Sequence, residues 1–109
     1  MNKSRRLKFG NCEFCLDKHQ LHVNGHLRKA EPLALDLLLY LLRNAGRTVS
    51  KQELLEAVWA GQSVSSEVIS RTMMKLRRAI NDNAPNELIW TIRGSGYRLA
   101  SDIDVAITG

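Results

Sequence analysis

The hydrophobic spacing of the chain changes at Pro32, and this change limits the possible folds more than any other feature. Before it, short runs at 7–9, 12–16, 20–23 and 26–28 read as strands. Asn24-Gly25 separates two of them, and both central positions of a type I′ turn need positive φ, so a tight hairpin is expected there. After Pro32, Leu35, Leu38, Leu39 and Leu42 form one apolar stripe at the helical period of about 3.6. A four-stranded antiparallel meander followed by helices is an α+β arrangement.

Local signals set the boundaries. Pro32 suits the first position of a helix over 32–44, and Gly46 suits its C-terminal cap. Ser50-Lys51-Gln52-Glu53 has the spacing of a capping box, in which Ser50 accepts from the Glu53 amide and the Glu53 side chain reaches back to the Ser50 amide. A second helix over 51–59 follows, with Leu54, Leu55 and Val58 inward. The polar connection 60–63 leads to Ser65 or Ser66 as the cap of a third helix ending near Ile80. Residues 81–86 read as a loop by composition, and 88–93 and 97–99 read as two strands joined across Gly94-Ser95-Gly96. Residues 1–100 thus make one domain, and 101–109, without a pattern of their own, read as a tail or the start of a linker.

Sixteen Lys and Arg against eleven Asp and Glu leave a formal charge of +5 over 109 residues. Such a balance favours polyanions, because binding one releases condensed counterions. Nucleic acid leads as a partner on charge alone. The longest apolar run, 37–42, is bounded by Asp36 and Arg43 and is too short to span a bilayer. The basic N-terminus is followed by Leu7-Lys8-Phe9-Gly10, not by an apolar signal core, so a cytoplasmic location with reduced cysteines is expected.

The third helix divides its faces by chemistry. At 100 degrees per residue, Met73, Leu76 and Ile80 fall within roughly 40 degrees of Ile69, and Glu67, Arg71, Met74, Lys75 and Arg78 fall opposite. One face is core; the other is mainly basic, which suits either a solvated surface or a binding face. The following Thr91-Ile92-Arg93-Gly94-Ser95-Gly96-Tyr97-Arg98-Leu99 lacks the helix that a phosphate-cradling glycine loop needs after it, so it reads as a hairpin tip. An arginine at such a tip can enter a minor groove, where narrow geometry concentrates negative potential.

Leu37-Leu38-Leu39-Tyr40-Leu41-Leu42, the run Val49-Ser50-Lys51-Gln52-Glu53-Leu54-Leu55 ending in Val58-Trp59, Lys75-Leu76-Arg77-Arg78, and Thr91-Ile92-Arg93-Gly94-Ser95-Gly96-Tyr97 together resemble the winged helix-turn-helix domain of OmpR/PhoB-type transcription factors. The resemblance covers roughly 7–99 and implies an N-terminal four-stranded antiparallel sheet, three helices and a C-terminal β-hairpin wing. Because the motifs begin close to Met1, the arrangement is most similar to the CadC/ToxR-like one-component branch, whose DNA-binding domain precedes a sensor or membrane segment.

The resemblance implies a sequence-specific domain for double-stranded DNA in a bacterial regulator, with the helix at about 65–80 in the major groove. Base reading would fall to Glu67, Ser70, Arg71, Met74 and Lys75, the lysine donating to guanine O6 and N7. Phosphate contacts would come from Trp59, Ser66, Thr72, Arg77, Arg78 and Thr91, and the minor-groove contact from Arg93. Trp59 equally suits a core position closing the second helix. Implied partners are tandem half-sites, a second copy on DNA and RNA polymerase, with no cofactor and no small-molecule substrate. Glu31 and Ala34 depart from the threonine and glutamate common near the first helix, which weakens that cap without touching the DNA face. Arg71 replaces a residue that is often apolar, and Trp90 one that is usually polar. The alternative function is a winged helix used mainly for protein contact, through Trp90 and the N-terminal sheet.

Cys12-Glu13-Phe14-Cys15 with His19, His22 and His26 gathers every cysteine and histidine of the chain. A structural zinc site wants four ligands, usually from two separated pairs, and Cys12 and Cys15, an odd number of strand steps apart, point to opposite faces. His22 should pair with Leu27 and His26 with Val23 across the Asn24-Gly25 turn, which separates those histidines too. These residues read as scaffold, without a metal. No carboxylate pair, nucleophile triad or cofactor loop points to an enzyme.

Overall fold

The computed structural model describes residues 5–80, 87–100 and 106–108, and the loop expected at 81–86 lies outside them. Strands β1 (Arg6–Phe9), β2 (Cys12–Cys15), β3 (Gln20–Val23) and β4 (His26–Arg28) form the antiparallel meander, followed by helices α1 (Pro32–Arg43), α2 (Lys51–Ala57) and α3 (Ser66–Ala79). A hairpin of β5 (Ile89–Ile92) and β6 (Gly96–Leu99) follows, and a short β7 (Ala106–Thr108) closes the order. β7 pairs with β1, so the first sheet runs β4-β3-β2-β1-β7. The expected four strands are present, and the fifth comes from the segment read as a tail.

Alternation sets the faces of the sheet. Leu7, Phe9, Cys12, Phe14, Leu21 and Val23 are buried in the main cluster, whereas Arg6 and Lys8 are exposed. The hairpin register is the expected one, with His22 opposite Leu27 and Val23 opposite His26, and Asn24 and Gly25 both take positive φ. Cys12 joins the core, and Cys15 shares a row with Arg6 and Gln20; both cysteines are buried. Among the described residues, no group of three or more His, Cys, Asp or Glu is placed to hold a metal. His19 leaves this cluster: its Nε2 lies 2.8 Å from Asp36 Oδ1 on α1, and its ring meets Phe14 edge-on.

α1 buries a wider face than its expected stripe. Ala34, Leu35, Leu37, Leu38, Leu41 and Leu42 are all buried and Leu39 only partly so, because the helix packs against both α3 and β6. It ends at Arg43 with Asn44 as cap, while Gly46, two residues on, takes φ +87°. α2 stops at Ala57, short of the expected end at Trp59. The chain turns there through Ala60 and Gly61, both at positive φ, and the Gly61 amide donates to the Leu55 carbonyl at 3.1 Å.

Half of the expected capping box forms. The Glu53 amide donates to Ser50 Oγ at 3.0 Å, but the Glu53 carboxylate turns away from the Ser50 amide toward Arg47 and Tyr40. Arg47 Nη1 donates to Glu53 Oε1 at 2.8 Å, its Nη2 also donates to Asn44 Oδ1 at 2.7 Å, and Tyr40 donates its hydroxyl to Glu53 Oε2. Charge-assisted bonds outcompete a neutral amide as donors. The Arg47 guanidinium, followed by the Tyr40 hydroxyl, holds the Glu53 carboxyl down to about 2, and the Tyr40 phenol is raised by its bond to the carboxylate.

A carboxyl whose folded pKa lies below its unfolded value stabilises the fold above about pH 4.3 and loses that stabilisation as the pH falls toward 2. Glu53→Gln is therefore expected to melt below wild type at pH 7, with the two melting temperatures converging near pH 2. Thermal melts across that range, in which every other carboxyl titrates alike in both proteins, measure the convergence. A gap that stays constant with pH would remove the carboxylate from this role.

Candidate nucleic-acid interface

α3 carries the basic face. Ile69, Met73, Leu76 and Ile80 are buried as expected, and Glu67, Arg71, Met74, Lys75 and Arg78 are exposed, Met74 to 51%. Ser65 sits at the cap position without a side-chain bond, and Ser66 is the first exposed residue of the helix. Glu67 in the first turn and Arg77 and Arg78 in the last match the polarity of the helix dipole.

The hairpin stands beside this helix, held at a fixed distance by backbone. The Val49 amide donates to the Tyr97 carbonyl at 2.7 Å and the Tyr97 amide to the Val49 carbonyl at 2.9 Å, bridging β6 to the residue before the α2 cap. Arg77 ties α3 to β5: Nη2 donates to Ile89 O at 3.1 Å and Thr91 Oγ1 at 2.7 Å, and the guanidinium lies 5.9 Å over the Tyr97 ring. Arg98 Nη2 donates to Gly46 O at 3.0 Å. At the tip, Gly94 takes φ +75° and Arg93 is exposed. Between the hairpin and α3 lies an open cleft of about 580 Å³, walled by Ser50, Lys51 and Ser70 on one side and by residues 91–97 on the other.

Several expected contacts sit elsewhere. Thr72 is 7% exposed and its hydroxyl donates to the Val68 carbonyl at 2.9 Å, which places it off the basic face: at 3.6 residues per turn it shares the buried side with Ile69, Met73 and Leu76. Trp59 is buried in the core cluster. Arg77 and Thr91 bond to each other and so serve the helix–hairpin joint. Ser70 is half-buried, and Lys51 Nζ reaches its hydroxyl at 3.3 Å.

Two residues of this surface were missed. Lys51 is exposed on the cleft wall, and nothing short of the packing of α2 against α3 brings it there. Glu31, expected to leave the basic face untouched, accepts from Lys75 Nζ at 2.7 Å. The partners are 44 residues apart, so no local pattern signals the contact.

A sheet, three helices with the third exposed along a basic face, and a hairpin bridged to its flank define a winged helix-turn-helix domain of the OmpR/PhoB type. A family model described as "Transcriptional regulatory protein, C terminal" matches residues 26–99, and the chain belongs to that family. It is 34% identical over 94 residues to the transcriptional regulator HilA of Salmonella typhi, across 81% of this chain and 17% of HilA. The chain therefore spans only a small part of that relative. The DNA-binding domain of Escherichia coli CadC superposes with a TM-score of 0.80 at 25% identity, covering 94% of this chain and 98% of that one. The DNA-binding domain of Klebsiella pneumoniae RstA, solved in complex with the RstA box, superposes at 0.77 and 23% identity over 88% of this chain and 97% of that one. Among the described residues, no helix is long and apolar enough to cross a membrane.

Proposed function

We propose that residues 1–100, with β7 added to their sheet, are the sequence-reading DNA-binding unit of a bacterial transcriptional regulator working in the cytoplasm. The observation that carries this reading is the continuous exposed row Arg71, Met74, Lys75 and Arg78 on a helix beside a hairpin whose exposed tip is Arg93. α3 lies in the major groove, where Glu67, Ser70, Arg71, Met74 and Lys75 meet base edges. Ser66, Arg78 and Lys51 meet phosphates, and Arg93 enters the adjacent minor groove. The family's regulators support the function, and the RstA domain solved with its own DNA box supports the docking. The half-sites are tandem, occupied by two copies, and the bound pair meets RNA polymerase.

Selection from a randomised duplex library at about 0.15 M salt, where nonspecific binding is partly suppressed, tests this reading. Enrichment of a short motif, most directly a tandem one, is expected. Salt-sensitive binding without enrichment would overturn it in favour of a protein-contacting winged helix, a reading that the exposure of Trp90, at 37%, would then support.

A further inference from the structure

The contact between Lys75 and Glu31 is a feature of the basic face that the proposed function leaves unused. Lys75 projects from α3, and Glu31 immediately precedes α1; Nζ and Oε1 stand 2.7 Å apart, with side chains 47% and 56% exposed. An ion pair this exposed adds little to stability, because solvent screens it and holding two long side chains still costs entropy. The Glu31 carboxylate makes no cap hydrogen bond to its own helix, although its charge suits that helix N-terminus. Its hydrogen bond goes to Lys75.

An ammonium has three N–H donors, and Glu31 engages one. Among the described residues two remain, which is the number that guanine presents acceptors for, at O6 and N7. A free lysine on a four-carbon stem would reach any nearby phosphate as readily as a base. Held by a carboxylate, the same group keeps its directional donors while its charge is largely compensated, so its sequence-blind attraction to the backbone falls. The pair also biases the side chain toward this position before DNA arrives, which lowers part of the ordering cost at the groove.

We infer that Glu31 is a positioning residue for base recognition: it stays paired to Lys75 on DNA, aims the ammonium at a guanine and suppresses contacts to phosphate. The inference rests on the reading of Lys75 as a base reader given above.

The test uses Glu31→Ala, Lys75→Ala and the double variant in the full chain, with library selection and salt titrations on a mixed-sequence duplex. Lys75→Ala marks the base position concerned. Glu31→Ala is expected to weaken the guanine preference at that position and to leave the rest of the motif unchanged. On the mixed-sequence duplex it should bind about three- to tenfold more tightly, with a salt slope steeper by up to about one, as for one more phosphate contact. Both changes should vanish when Lys75 is also alanine. Glu31→Gln, which keeps an acceptor oxygen, should recover part of the base preference. A wild-type chain that enriches no motif removes the reading beneath this inference, and the inference with it. An enriched motif that Glu31→Ala leaves intact, or a change in slope that persists without Lys75, overturns the inference and leaves the reading standing.

Discussion

Gly96→Ala is expected to cost about 4 kcal/mol or more, a large part of the roughly 5–15 kcal/mol that holds a domain of this size together. A Cβ on Gly96 would stand 2.0 Å from the Val49 carbonyl oxygen and 2.7 Å from its carbon, and the residue has φ +146°. These neighbours are backbone, in the strand bridge where Val49 and Tyr97 exchange two hydrogen bonds, and they cannot rotate aside as a side chain would. Relief requires moving β6 away from the start of α2. Gly94, two residues earlier, supplies the control. It has φ +75° with nothing within 4 Å of where a methyl would sit, so Gly94→Ala should cost only the left-handed penalty of about 1–2 kcal/mol. Urea midpoints followed by circular dichroism separate the two. Similar losses at both sites would mean that the bridge yields to a methyl at little cost.

Lys75→Ala is expected to lower affinity for the selected duplex by about 1–3 kcal/mol and to relax preference at one base position. Arg71→Ala should behave alike at a neighbouring position. Arg78→Ala, at the end of the same exposed row, should weaken cognate and random duplexes to similar extents and shallow the salt slope by about one. The contrast matters more than either loss, since both variants remove one positive charge from one helix face. Fluorescence anisotropy against the selected and a scrambled duplex, over a range of salt, gives both quantities. Equal losses on the two duplexes for Lys75→Ala would remove it from base reading.

The parts of this fold that were legible in the sequence are those decided by neighbours along the chain. Alternation and Asn24-Gly25 set the register that places His22 opposite Leu27, and the helical period placed Ile69, Met73 and Leu76 inward with Arg71 and Lys75 outward. The misses arise where a distant group competes. Glu53 had the spacing to cap Ser50, but Arg47 and Tyr40 offered its carboxylate stronger donors once α1 and α2 had packed. Thr72 lies two positions from Ser70 and adjoins Arg71, yet one residue on a helix is 100 degrees, enough to bury it. The pairing of Thr91 with Arg77, and of Glu31 with Lys75, depends on the crossing of elements far apart in sequence. β7 escaped for another reason: it is as short as β4 but has no Asn-Gly turn beside it to mark it as a strand.

That short strand also changes how the sheet meets other molecules. β1 would otherwise end the sheet with a row of open amides and carbonyls, the template on which a foreign strand can add and start aggregation. Pairing of Arg6, Leu7 and Lys8 with Thr108, Ile107 and Ala106 occupies that row. The opposite margin is β4, only His26, Leu27 and Arg28, all exposed and ending in a charge. A stretch so brief and so solvated offers an incoming strand few ladder bonds and no dry surface, and β7, now the margin beyond β1, is equally brief at three residues.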